Sequence, residues 1–401
     1  MIFVNFSYHK IETHSPMKAQ LSRRDWFKSS LALTAGLTLS PMFVDKLFAG
    51  PVSAAERFQW GINPYSANGN IRLNANENPY GPSEKVKQAI IENMHESNRY
   101  PFQALSELKK MIADKEGVDT DHIHMGAGSG EILCEAGVAF GLDNGEILSG
   151  FPTFTEMMDY AKVFNAKWDK VNLNDKLEFD YGAMASRVNS KTKLVFICNP
   201  NNPTGTLVDP SIVSPFCQDI SKKTLVYSDE AYLEFLEPEM QKRVSNIELV
   251  KKGMNVVVSR TFSKIHGLAG LRIGYIVAKP DLIKKISQYQ MGIPISQHAI
   301  AAAKASLGDN EFMTLSRTKN TEARGHLEGY LKQKGFSYGK SHTNFMFFPA
   351  PKEGKAILSG MQQKNILMRI WDYKNKEWCR VSIGTLDEMK QFTQAFDEVI
   401  A

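Results

Sequence analysis

The sequence predicts an α/β fold: a large domain on a mostly parallel central sheet, with a smaller α+β domain beside it. Three observations carry this. After the first fifty residues, strand-like and helix-like segments alternate, as they do where helices connect the strands of one sheet. Several strand-like segments are continuous apolar runs, the pattern of strands covered on both faces. The chain has 401 residues, 43% hydrophobic and 23% charged, which is too long for one small core.

Residues 1–54 are read as an export leader outside the fold. Arg23-Arg24-Asp25-Trp26-Phe27-Lys28 is a charged start, Ser29 to Pro41 a short, weakly apolar stretch, and Val52-Ser53-Ala54 a small-residue cleavage site. Paired arginines followed by two aromatics and a lysine resemble a twin-arginine signal. That implies the twin-arginine export machinery as a partner and a periplasmic or otherwise exported protein. If the stretch is an ordinary amphipathic helix instead, the protein is cytoplasmic. Met17 is a candidate true start. The apolar stretch is too short for a stable membrane anchor.

Ser83 to Glu96 has the spacing of an amphipathic helix capped by Ser83, and Ala104 to Lys115 that of a second. Glu131 to Phe140 is an apolar helix that follows Gly126-Ala127-Gly128-Ser129-Gly130. Four buried strands are expected, all read as parallel: Leu194–Cys198, Thr224–Asp229, Asn255–Arg260 and Arg272–Ala278. Ligands of open α/β sheets lie beyond the carboxyl ends of the strands. Asn202, Asp229 and Lys264 lie at or just past such ends, which points to one shared site. The large domain is expected over residues 81–289, and the smaller one over 290–401 together with 55–80.

Composition excludes several classes. Lys+Arg minus Asp+Glu is 48 − 43 = +5, without the dense basic face that nucleic acid requires. The four cysteines, Cys134, Cys198, Cys217 and Cys379, form no C-x-x-C pair, so neither a disulfide scaffold nor a finger-type zinc site is expected. His122-x-His124 has no third ligand in view and is read as a solvated strand end; no metal is expected. His266 is read as loop packing, Cys198 as inert core, and Trp371 and Trp378 as packing.

The chemistry concentrates between Thr261 and Arg272. Lys264 sits in a turn of small residues after a buried strand, where an amine can have a lowered pKa and form a Schiff base. The hydroxyls of Thr261 and Ser263 and the fork of Arg272 can grip a phosphate. Alone, this stretch reads equally well as a charged surface loop. The glycines at 126–130 let backbone N–H groups approach an anion at a helix N-terminus, while Glu131 at the third glycine position excludes a dinucleotide fingerprint.

Asn199-Pro200-Asn201-Asn202-Pro203-Thr204-Gly205 and Ser228-Asp229-Glu230-Ala231-Tyr232 narrow the choice. With Leu73 to Gly81, Asn98-Arg99-Tyr100-Pro101, Gly126 to Ser129, the Lys264 segment and Cys379-Arg380-Val381-Ser382-Ile383-Gly384, they span residues 73–384. In this order they resemble the fold-type I pyridoxal-phosphate (PLP) aminotransferases of class I/II, nearest the histidinol-phosphate aminotransferase-like subgroup. The resemblance implies PLP as cofactor, with an amino donor and a 2-oxo acid acceptor as substrates. It implies that Lys264 holds PLP as a Schiff base and moves the proton. Asp229 would pair with the pyridine nitrogen, Asn202 and Tyr232 would bond the ring's phenolic oxygen, and Phe154 would stack on the ring. The phosphate would be held by the backbone of Ala127, Gly128 and Ser129 with Thr261, Ser263 and Arg272. Tyr100 would reach the neighbouring subunit's cofactor in a homodimer. Arg380 would clamp the substrate's carboxylate, or its phosphate in histidinol-phosphate enzymes. Tyr65 and Asn78 are further candidates for the substrate face. The chain departs from the subgroup at Gly130, where members carry an acidic residue; the backbone contacts survive that change, but glycine offers no side-chain contact there.

The expected function is therefore amino transfer. The alternatives are a decarboxylase of the same fold acting on a phosphorylated amino acid, and a non-catalytic exported binding protein. An exported location argues against a role in histidine biosynthesis, whose intermediates are expected in the cytoplasm.

Overall fold

The computed structural model describes residues 70–142 and 144–401. The expected leader, Met17 and Tyr65 lie outside the described residues. The strands are β1 (Ile71–Arg72), β2 (Ile123–Gly126), β3 (Glu146–Phe151), β4 (Lys167–Asn172), β5 (Thr192–Cys198), β6 (Leu225–Asp229), β7 (Val256–Thr261), β8 (Gly274–Val277), β9 (Phe345–Pro349), β10 (Ile366–Leu367), β11 (Arg369–Tyr373) and β12 (Lys376–Ser382). Seven of them form the central sheet, in the order β2-β8-β7-β6-β5-β3-β4. Its middle strands are buried along nearly their whole length because helices cover both faces.

One strand runs against expectation. Arg272–Ala278 was expected to be parallel, but β8 pairs antiparallel with both β7 and β2. The 262–273 connection contains only the single-turn helix Ala269–Leu271. A parallel neighbour needs a longer crossover, usually a full helix, so the chain turns straight back. That return places the Lys264 loop and Arg272 at the carboxyl end of β7.

A second core gathers Leu73, Leu327 and Leu331 of helix Asn310–Gln333, Met346 and Phe348 of β9, and Phe392 and Phe396 of helix Leu386–Ile400. It backs the antiparallel sheet β11-β12-β9. Leu73 follows β1, which pairs with β10. Helix Gln297–Leu307 differs from the expected boundary at 290. It buries Ala299, Ile300, Ala302 and Ala303 in the central-sheet core, against the helices Glu84–Glu92 and Phe102–Glu116. Its face of small residues allows that close approach.

Ser83 caps Glu84–Glu92 as expected, accepting from the amide of Val86 at 3.3 Å. The two histidines go separate ways. His122 sits half-buried beside Asp121, whereas His124 is buried and bonds Glu135 at 2.7 Å. His124 is therefore a buried hydrogen-bonded group and not a solvated strand end.

Candidate active site

The ends of β5, β6 and β7 converge on one cluster of buried polar side chains, joined by β12 and the segment after β1. Asp229 ends β6. It is buried, and its Oδ1 accepts from Ser259 Oγ at 3.0 Å and from the amide of Ala231 at 3.2 Å. Burial raises its pKa to about 6 despite those two hydrogen bonds. Among the described residues no cation pairs with it.

Lys264 follows β7. Its Nζ donates to the carbonyl of Ala75 at 3.3 Å and lies 5.7 Å from the centre of the Tyr232 ring. Burial, then the charge of Arg380, pushes the amine down to about 8; Arg272 and Arg369 add to this and Glu77 opposes it. At pH 7 that leaves about a tenth of the amine neutral, far more than for an ordinary lysine, and a nucleophilic or proton-carrying amine needs such a fraction. Asp229 feels the charge of Lys264, which favours its ionised form.

Tyr232 and Asn202 are buried nearby. The Tyr232 hydroxyl accepts from Asn76 Nδ2 at 3.0 Å, and its ring meets Phe345 edge-on, 5.0 Å between centroids. Asn202 Oδ1 accepts from Arg380 at 2.9 Å, and the other arm of Arg380 donates to the carbonyl of Asn74 at 2.6 Å. Arg380 Nε is buried without a partner, and burial beside Arg369 lowers the guanidinium to about 9. Phe154 is half-buried against the central core on the loop after β3.

An anion cradle lies at the N-terminus of helix Ser129–Gly141. Gly128 is its cap residue, at φ 81°, and offers no side-chain acceptor. The amides differ from expectation: that of Ala127 donates to Glu131 Oε2 at 2.6 Å, and that of Gly128 to the carbonyl of Gly126 at 2.8 Å. Ala127 and Gly128 therefore shape the cradle, and the first-turn amides of Ser129 and Gly130 are the donors left for a ligand. Arg272 holds a left-handed φ of 55° and donates to Ser263 Oγ at 3.3 Å and to the carbonyl of Ala269 at 3.0 Å. Thr261 Oγ1 accepts from the amide of Ser263 at 3.1 Å. A Cβ at Gly128 would lie 2.4 Å from the Arg272 guanidinium, and one at Gly274 2.5 Å from the Ser129 amide nitrogen. Only glycine at both positions brings that fork and those amides around one small anion.

Asn78 is placed otherwise than expected. Its Nδ2 donates to the carbonyl of Ile265 at 2.8 Å and to Ser316 Oγ at 3.0 Å, and its Oδ1 accepts from the amide of Tyr80 at 3.1 Å. Fully used in this way, it braces the Lys264 loop and presents no free group to a substrate. His266 braces the same loop, buried between Ser306 (2.6 Å) and Glu234 (3.1 Å).

Three further residues, which the motifs give no role, belong to the site. Asn76, at φ 54°, links the Tyr232 hydroxyl to Ser382 Oγ, at 2.8 Å from its Oδ1. Arg369 pairs across the β11–β12 hairpin with Arg380, so both arginines stand on the same face. The signal was the Lys374-Asn375 turn, both residues at positive φ as a tight hairpin requires. Glu156 begins helix Glu156–Lys162 and feels the charges of Arg272, Asp229 and Lys264.

The arrangement fits PLP. The cradle suits its phosphate, the unpaired buried Asp229 suits a protonated ring nitrogen, and Lys264 suits its aldehyde.

The family model for class I and II aminotransferases matches residues 68–396. The chain is 34% identical, over 82% of its length and 86% of the relative's, to the histidinol-phosphate aminotransferase of Moorella thermoacetica. A crystal structure of the Sinorhizobium meliloti histidinol-phosphate aminotransferase in complex with PLP superposes with a TM-score of 0.78 at 24% identity, covering 92% of this chain and 99% of that one. The L-threonine-O-3-phosphate decarboxylase of Porphyromonas gingivalis shares the fold, with a TM-score of 0.71 at 22% identity over 82% of this chain and 98% of that one. With the family model spanning the whole described site, the chain belongs to the class I and II aminotransferases and is a PLP-dependent transaminase.

Proposed function

We propose that this enzyme transfers an amino group from a donor bearing a phosphate or a second carboxylate to a 2-oxo acid, with Lys264 as the working amine. The observation that carries the donor class is the pair Arg369 and Arg380. Both side chains are largely removed from water, both keep a buried Nε without a partner, and burial lowers them to about 10 and about 9. Two guanidinium groups desolvated side by side repel each other unless an anion joins them. The relatives' printed substrate, histidinol phosphate, carries such an anion and is one candidate donor.

When bound, PLP supplies an aldehyde for an amine and a ring that accepts electrons from the substrate's Cα. The chain's own residues do the rest. Lys264 would offer its neutral amine to the aldehyde and carry the proton to and from the substrate. Asp229 would set its negative charge against the ring nitrogen. Tyr232 and Asn202 would hydrogen-bond the ring's phenolic oxygen, and Phe154 would pack on the ring. Ser129, Gly130, Ser263, Thr261 and Arg272 would hold the phosphate, and Arg380 with Arg369 would orient the donor.

Two assays test this. PLP-loaded protein is mixed with phosphorylated and unphosphorylated amino donors and no acceptor, and formation of the pyridoxamine form is followed. Release of carbon dioxide without it would make the enzyme a decarboxylase. Arg369→Gln is expected to raise KM for a phosphorylated donor about 10- to 100-fold with little change in kcat, since a charge-assisted hydrogen bond contributes about 1.5–3 kcal/mol. An unchanged KM removes Arg369 from the donor site.

A homodimer and an export route complete the proposal. Tyr100 is 75% exposed, near the exposed Phe102 and Ile293. That apolar surface suits a partner copy whose site Tyr100 would reach. The Arg23-Arg24 pair supports twin-arginine export. Replacing both by lysine is expected to hold the protein in the cytoplasm, as fractionation would show; undiminished secretion defeats the leader.

A further inference from the structure

Gly130 has no side chain, and the space beside it is filled from another element. An ideal Cβ at Gly130 would lie 2.6 Å from Oε2 of Glu156 and 2.9 Å from its Oε1. The Glu156 carboxyl group therefore rests on the side-chain face of Gly130, in the first turn of helix Ser129–Gly141, whose Ser129 and Gly130 amides are left for the phosphate. Arg272 flanks the same turn at Gly128. The cradle thus has a cationic wall and an acidic wall, and among the described residues Glu156 has no ion-pair or hydrogen-bond partner. The groups that face it are Arg272 before β8, Asp229 at the end of β6, Lys264 after β7, and Cys134 on the helix beneath. The other acids of that helix are engaged, Glu131 with the Ala127 amide and Glu135 with His124. A carboxylate against a phosphate dianion is repelled, whereas a carboxylic acid donates to it.

We propose that Glu156 is the proton-holding wall of the phosphate cradle, meeting the cofactor's phosphate as a neutral carboxyl, so that phosphate binding takes up a proton. Burial favours that neutral form, with Arg272 opposing it and Asp229 adding to it. The inference rests on the cofactor assignment and adds a charge requirement to it. Because the protonated form binds, affinity falls as pH rises through the pKa of free Glu156. The slope is up to about tenfold per pH unit steeper than without the group.

The test is calorimetric titration of the apoprotein with PLP, in two buffers of different ionisation enthalpy. At a pH above the pKa of free Glu156, where PLP affinity has begun to fall, wild type is expected to take up about one more proton per site than Glu156→Gln. With pyridoxal, which lacks the phosphate, the two proteins should match. Equal uptake with PLP overturns the proposal, as does an equal difference with pyridoxal. Infrared difference spectra of wild type, which need no variant, should gain a protonated-carboxyl band on PLP binding and none with pyridoxal; no gain with PLP also overturns it. A wild type that develops the absorbance of bound PLP while showing no such proton keeps the cofactor assignment and loses this inference. Failure of wild type to bind PLP at all removes the assignment itself.

Discussion

Lys264→Ala, reconstituted with PLP, is expected to lack the absorbance of covalently held cofactor and to transaminate at least about 10⁴-fold more slowly than wild type. The group has two tasks. Acid–base catalysis by one positioned side chain contributes about 10²–10⁴-fold, and the covalent step adds to that. The amine is suited to both because burial and the flanking arginines bring it down to about 8. Below that pH the ammonium form dominates. Capture of PLP by the apoprotein should therefore speed up about tenfold per unit from pH 6 to 7 and level off above about 8. Stopped-flow absorbance measures this directly. A pH-independent capture rate, or activity retained in the alanine variant, would remove Lys264 from its role.

Asp229→Asn is expected to lower kcat by about 10³-fold, since removing one partner of a buried charge pair costs about 3–5 kcal/mol. Asparagine keeps the shape, and its side-chain oxygen can still accept from Ser259 and Ala231. The loss then reports the charge and not the fold. Stability of the apoprotein should move the other way. The folded pKa of Asp229, about 6, lies above the ordinary carboxylic value. Its contribution to stability is therefore full below about pH 4 and lost as pH rises through about 6. At pH 7 the asparagine apoprotein should melt higher than wild type, and the gap should close toward pH 4. A variant with normal kcat, or one that melts lower at pH 7, contradicts the assignment.

Much of this was legible in the residues because strands and loops carry local signals. β5, β6 and β7 are continuous apolar runs, and the polar residues beyond them had one place to go, the carboxyl edge of the sheet. Asp229, Lys264 and Asn202 therefore belong to one site on the strand pattern alone, whereas Arg380 joins them through the family resemblance. The turn chemistry of 126–130 likewise announced an anion site.

What the chain order could not show is who shares each hydrogen bond. The amides of Ala127 and Gly128 are used internally by Glu131 and Gly126, so the free donors move one step along the helix. Asn78 braces Ile265 because its neighbours, residues 265 and 316, are distant in sequence. Glu156 lies opposite Gly130, on a separate helix, and β8 turns back because its connection lacks a crossover helix. Chemical type and local conformation are properties of neighbouring residues, and so they can be read along the chain. Charge balance and proton position depend on burial and on partners brought together from remote segments, and so they emerge only once the chain has folded.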